Sequence, residues 1–343
     1  MKFVLLIVGV IIALLVLYFL IVGLAPGISV PRQSLKRPLV PLEPAGEPLR
    51  KEVGFVVHGA RVHAWLYWPE KASLPVPCIV MGHGLGGTKE CGLAKYAARF
   101  REAGFAVLVF DYRYFGESGG EPRQLVRVSD QLEDWAAAVA YARGLKDVDQ
   151  RKVALWGSSL GGGHVIVTAA RDHQIACAAA QCPGLDGEAS ALATFKRIGL
   201  GKTLRFVVHG QRDMVRSWLG LSPHLVPLVG PAGSVACIAD SDAFELFGLI
   251  VPPGFINEVC ARILIRGDKY QPVKYASTVR CPVLLQICDR DNLTPPSAVA
   301  ETVAKLGEHV EVKRYDAGHF DIYLGENFEK SVVDQVNFFR KHL

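Results

Sequence analysis

The amino-acid sequence predicts an α/β protein with a mostly parallel sheet covered by helices. Three observations carry that expectation. Short runs rich in β-branched residues alternate with helix-length amphipathic stretches over most of the chain. An uncharged apolar segment, residues 3–25, precedes them. A single long interval, from about 184 to 275, interrupts the alternation and is too long for an ordinary connection.

Composition sets the outer bounds. A chain of 343 residues, 50% apolar and 21% charged, accommodates one large domain with an insertion. The formal net charge of +5 is small for this length, and its Lys and Arg residues are scattered without interleaved aromatics. Nucleic acid is therefore not an expected partner. The eight cysteines include no CxxC pair, so neither a metal centre nor a dense disulfide framework is expected. Cys78 and Cys288 sit inside apolar runs, where free cysteine behaves as a small hydrophobe, and this favours a reducing compartment.

Residues 3–25 match the roughly 20 residues that a helix needs to cross a hydrocarbon core. A signal peptide would have an apolar stretch of about 7–15 residues, and Pro26 directly after Ala25 makes a poor cleavage junction. A buried core helix would show a polar stripe. An uncleaved transmembrane anchor over residues 1–25 is the expectation. Only Lys2 precedes it, whereas Arg32, Lys36 and Arg37 follow, so the positive-inside tendency places the rest of the chain in the cytoplasm. Pro26, Pro31, Pro38, Pro41, Pro44 and Pro48 then disfavour helix and predict an extended linker over residues 26–52.

The folded domain is expected over residues 53–343. Residues 53–57 and 62–68 flank His58-Gly59-Ala60-Arg61 and predict a hairpin. Strands follow at 78–81, 105–110, 152–156, 175–180, 283–288 and 310–315. Helices are expected near 89–102, 130–143, 160–171, 297–306 and 327–341. The interval at 184–275 holds Trp218, Phe244, Phe247 and Phe255 with five prolines, and is read as a cap or lid over the sheet.

The sharpest chemical signal is Gly157-Ser158-Ser159-Leu160-Gly161, directly after an apolar strand and before a helical stretch. This is G-x-S-x-G in the setting that gives it meaning. A serine on a strained strand-to-helix turn tolerates only small neighbours, and the helix N-terminus lends positive potential to a developing oxyanion. Ser159 is the candidate nucleophile.

With these residues in view, the chain from about 53 to 343 resembles the α/β-hydrolase superfamily, closest to its dienelactone-hydrolase-like and esterase members. The resemblance rests also on Gly82-His83-Gly84-Leu85-Gly86-Gly87 after the third strand. It rests further on Asp111-Tyr112-Arg113-Tyr114-Phe115-Gly116-Glu117-Ser118, which departs from the family loop at Tyr114 and Phe115. It implies an oxyanion hole from the backbone amides of Leu85 and Leu160, with His83 structural. Because the superfamily order is serine, acid, histidine, Asp111 is too early to be the acid. The acid is expected in Asp289-Arg290-Asp291-Asn292, where Asp291 fits the family spacing to Pro295 and Asp289 is the alternative. Gly318-His319 supplies the histidine, and the other histidines are assigned to surface or packing roles.

A Ser-His-Asp set supports acyl transfer to water through an acyl-enzyme, with no metal or organic cofactor. The expected activity is carboxylic ester hydrolysis of a small apolar acyl or aromatic ester. A serine peptidase of the prolyl-oligopeptidase kind carries the same motifs, although the propeller that accompanies many of them is missing here. A non-catalytic receptor or scaffold with this fold is the third possibility.

Overall fold

The computed structural model describes residues 1–35, 50–71 and 73–343. It begins with helix α1 (Lys2–Leu24), which is long and apolar enough to cross a membrane and whose central residues are exposed on every side. Its last turns touch the domain, through Tyr18, Phe19 and Gly23. The chain then runs without regular structure to residue 35, held by a hydrogen bond from Asn257 Nδ2 to the Gln33 carbonyl (3.0 Å) and an Arg32–Glu258 ion pair (2.9 Å). This part of the expected linker therefore lies along the insertion. Lys36, Arg37 and the prolines 38, 41, 44 and 48 lie outside the described residues.

Strands β1 (Arg50–Val57) and β2 (Ala60–Tyr67) form the hairpin. Its two-residue turn takes positive φ at His58 (46°) and Gly59 (80°), the turn whose twist matches that of the flanking strands. β1 opens ahead of the expected start at 53, because Arg50 pairs in register with Tyr67 and its guanidinium lies 3.5 Å over the Trp65 ring. Residues 50–52 thus belong to the sheet.

The rest of the sheet follows in alternation: β3 (Val76–Gly82), α2 (Leu93–Glu102), β4 (Ala106–Phe110), α3 (Val128–Gly144), β5 (Val148–Ser158), α4 (Leu160–Arg171) and β6 (Ala178–Gln181). The insertion comes next, with α5 (Gly187–Trp218), β7 (Leu225–Pro227), β8 (Val229–Gly230), β9 (Ile238–Ala239), α6 (Ser241–Gly248) and β10 (Glu258–Cys260). The chain closes with β11 (Val283–Cys288), α7 (Pro296–Leu306), β12 (Val310–Tyr315) and α8 (Gly325–His342). Strand order is β1-β2-β4-β3-β5-β6-β11-β12, parallel except where β2 meets its neighbours.

This order locates the site before any side chain is considered. Parallel crossovers are right-handed. Moving from β3 to β4 and moving from β4 to β5, or from β5 to β6, run in opposite directions along the sheet. Helix α2 therefore lies on one face and α3 and α4 on the other, and α2 accordingly packs with α8 while α3 packs with α4. The direction reverses between β3 and β5, and the carboxyl ends of strands at such a switch point bound a crevice. Gly84 follows β3 there, and Ser159 follows β5.

Candidate active site

Ser159 occupies the turn between β5 and α4 with φ 55° and ψ −123°, a region that costs about 1–3 kcal/mol and persists only under constraint. The constraint is steric. A Cβ on Gly157 would fall 2.2 Å from the Gly161 carbonyl oxygen, and one on Gly161 would fall 2.5 Å from that of His83. Glycine at both places lets the chain turn this sharply. Backbone bonds from Ser159 N to Gln181 O (2.9 Å) and from Gly184 N to Ser159 O (2.8 Å) fasten the turn to β6.

His319 lies on the loop after β12. Its Nε2 is 2.9 Å from Ser159 Oγ, and its Nδ1 is 2.7 Å from Asp291 Oδ2. Asp291 stands on the loop after β11, where its Oδ1 accepts hydrogen bonds from Leu293 N (2.7 Å) and Thr294 N (3.2 Å). Burial by itself would raise this carboxyl. The adjacent His319 and the two backbone donors outweigh it and hold Asp291 below the usual carboxylate range. The alternative acid, Asp289, is exposed and pairs with Arg314.

Leu160 directly follows Ser159, and Leu85 lies on the loop after β3. Leu85 lines the same small pocket as Ser159. Leu160 is the first residue of α4, so its N–H has no acceptor within the helix. A Cβ on Gly84 would stand 2.9 Å from Ser159 Cβ, so the loop after β3 can approach Ser159 this closely only as glycine. His83 is buried and lies 2.9 Å, through Nδ1, from its neighbour's carbonyl at Gly84. Burial pushes its imidazole down to about 4, which keeps it neutral. Asp111 is also buried and accepts from Lys89 N (2.7 Å), Lys89 Nζ (2.8 Å) and Glu117 N (3.1 Å), fastening two loops together.

Other supporting residues were not legible in the motifs. Tyr323 donates to Ser158 Oγ at 2.5 Å and lines the pocket, though it lies far from the serine in sequence. Asp321 accepts from Gly318 N at 2.7 Å and so braces the residue before His319.

The cover over Ser159 comes from the insertion. Leu228, Val229, Ile238, Phe247 and Ile250 face Leu85 and Leu93 around a narrow cavity of about 30 Å³. On the other side of His319 lies a wider groove of about 610 Å³, with Asp240, Asp242, Arg290, Asn292 and Asp321 along it. Ser159 opens into the small apolar pocket, whereas the broader groove reaches His319 and carries polar and apolar side chains together.

Comparison with known proteins agrees with this fold. The family model for X-Pro dipeptidyl-peptidase (S15 family) matches residues 58–195, from the hairpin turn into the first turns of α5. The quorum-quenching protein AidA of Acinetobacter baumannii is 41% identical over 292 residues, covering 84% of this chain and 94% of its own. Among solved structures, the α/β hydrolase GrgF from a Penicillium species superposes with a TM-score of 0.70 at 23% identity, covering 85% of this chain and 98% of its own. A hypothetical protein of Pseudomonas aeruginosa gives 0.75 at 21% identity, covering 91% and 100%. From the switch-point crevice, the strained serine turn and these likenesses together, the chain belongs to the α/β-hydrolase superfamily and is a hydrolase.

Proposed function

We propose that the protein hydrolyses carboxylic esters of small molecules through an acyl-enzyme on Ser159. The observation that carries this reading is the unbroken row Ser159 Oγ, His319 Nε2, His319 Nδ1, Asp291 Oδ2, with separations of 2.9 and 2.7 Å. Ser159 Oγ attacks the ester carbonyl while His319 Nε2 takes its proton. Asp291 keeps the other imidazole proton on Nδ1 and stabilises the imidazolium that forms. The Leu85 and Leu160 amides receive the oxyanion, and the His319 proton then passes to the leaving alkoxide. Water repeats the sequence to release the acid.

The asymmetry of the site supports a substrate with an apolar acyl or aromatic acid part in the small pocket and a polar leaving group in the groove. A peptidase reading is favoured by the S15 family match. A fluorophosphonate probe tests both, since labelling of the wild type and not of Ser159→Ala requires a nucleophilic serine. Turnover of p-nitrophenyl esters with no turnover of a Gly-Pro anilide then supports the esterase reading, and the reverse pattern replaces it. In this reading α1 anchors the protein in a membrane, with the catalytic domain on the cytoplasmic side.

A further inference from the structure

The first half of helix α5 is tied to the domain through polar groups, such as Arg197 with the Ala239 carbonyl (3.1 Å) and Asp240 (3.7 Å), and not through a buried apolar face. No side chain from 191 to 205 is buried, and Leu192, Phe195, Leu200 and Leu204 are exposed. A helix face turned to water is normally polar. The charge of α5 is also one-sided, because no acid stands between Glu188 and the buried Asp213, whereas Lys196, Lys202 and Arg205 are exposed. A basic helix with uncovered leucines has the composition of a membrane-surface element.

Where α1 docks gives this face a direction. Leu200, Leu204, Gln211, Val215 and Trp218 follow one another at steps of four, seven, four and three, and so share one row of the helix. The far end of that row receives α1. Tyr18 Oη donates to Gln211 Oε1 (2.6 Å), the Phe19 and Trp218 rings meet edge-on at 6.4 Å, and a Cβ on Gly23 would fall 2.5 Å from Val215. Beyond the contact Trp218 is still 68% exposed, with Leu219 and Leu221 exposed beside it. Arg266 and Lys269 border the same groove. Aromatic residues and cations collect in this way at membrane interfaces.

We propose that this face of α5, with Trp218, Leu219 and Leu221 at its end, rests on the lipid bilayer beside the anchor. The inference rests on the reading of α1 as a membrane anchor. It also sharpens the substrate class to esters dissolved in the bilayer. The insertion that α5 opens supplies the apolar cover over Ser159, so the cover is carried by the element that touches lipid.

The test reconstitutes the full-length protein into vesicles of anionic phosphatidylglycerol and brominated phosphatidylcholine. Trp65, Trp135 and Trp156 are buried and Trp68 is half-buried, so subtracting a Trp218→Phe variant isolates the exposed indole. Brominated chains should quench the Trp218 emission while aqueous iodide leaves it unchanged. Quenching by iodide alone would put the face in water, and quenching by neither would mean that a second copy covers it; either overturns the proposal. A Leu200→Glu/Leu204→Glu variant should keep the wild-type kcat/KM on a soluble p-nitrophenyl ester. On a long-chain ester held in the vesicles its rate should fall about tenfold, equivalent to losing most of one leucine's burial. Equal rates on the vesicle substrate would also overturn it. Extraction of the full chain by alkaline carbonate would sink the anchor reading instead, and a protein inert toward every soluble ester would sink the ester reading while leaving the quenching result legible.

Discussion

The rim of the sheet and the helix above it are built on opposite terms. At the rim, Ser159, His319 and Asp291 are each fixed by backbone: a turn that only glycine neighbours permit, a loop braced by Asp321, and a carboxylate held by two N–H donors. Helix α5 has no buried side chain over residues 191–205, although it bends at Gly199 (φ 76°) and still carries leucines. Catalysis depends on groups that cannot move relative to one another, since small misplacements are costly in rate. The cavity over Ser159 is about 30 Å³ and is lined from above by side chains of the insertion, among them Leu228, Val229 and Phe247.

The largest test of the rigid half is Ser159→Ala. It should lower kcat by about 10⁶-fold while circular dichroism and Tm stay near wild type, because Ala fills the same space on the strained turn. Ser158→Ala should behave oppositely. It leaves the buried Tyr323 hydroxyl without its acceptor and should cost about 1–3 kcal/mol of stability while turnover persists. If Ser158→Ala were inactive and Ser159→Ala active, the assignment of nucleophile would have to be exchanged.

Next in size is the acid. Asp291→Asn should lower kcat by roughly 10⁴-fold, since an amide favours the wrong imidazole tautomer. Asp289→Asn removes only an exposed pair with Arg314, worth about 1 kcal/mol or less, and should leave kcat close to wild type. Steady-state kinetics on one ester decides between them. Equal losses at both positions would erase the distinction drawn from geometry.

A pH titration sharpens the comparison from the side of stability. His83 is buried and its imidazole is pushed down to about 4 by burial; His164, held near Tyr270 (2.6 Å) and Gln131 (3.0 Å), is pushed down to about 3 for the same reason. Both folded values lie below the unfolded value near 6.5, so the unfolded chain binds the proton first. Their stabilising effect is complete above pH 6.5 and is lost as pH falls toward 4. For His83 alone the loss by pH 5 is about 2 kcal/mol. Thermal unfolding should show Tm falling from pH 7 to 5, and less steeply in His164→Gln. A flat profile would mean that these histidines are reached by water.

The smallest expected effect concerns the N-terminus. Deleting residues 1–48 removes the Asn257–Gln33 and Arg32–Glu258 contacts and uncovers Val215, so Tm should drop modestly. Turnover of a soluble ester should change little, because every triad residue lies beyond 82. An inactive truncated protein beside an active full-length one would make α1 part of the folded domain.

Much of this was legible in the sequence because the relevant signals are local. Strand–turn–helix around Gly157-Ser158-Ser159-Leu160-Gly161 is written in adjacent residues, and the bounds of α4 (Leu160–Arg171) coincide with the expected helix. The same holds for β11 and β12, and the uncharged run 3–25 became α1 with each bound displaced by one residue. Hydrophobic period and glycine placement act over a few residues, so they need no knowledge of the remainder of the chain. Tertiary structure decided the rest. The family spacing favours Asp291 over Asp289, but the contact of that carboxylate with an imidazole 28 residues away is tertiary, and the partnership of Tyr323 with Ser158 spans 165 residues. The start of β1 at Arg50 followed from pairing with Tyr67, and the row of α5 that meets α1 followed from docking. Such contacts are set by how parallel strands and their crossovers bring distant loops to one edge of a sheet, and a linear pattern does not encode that juxtaposition.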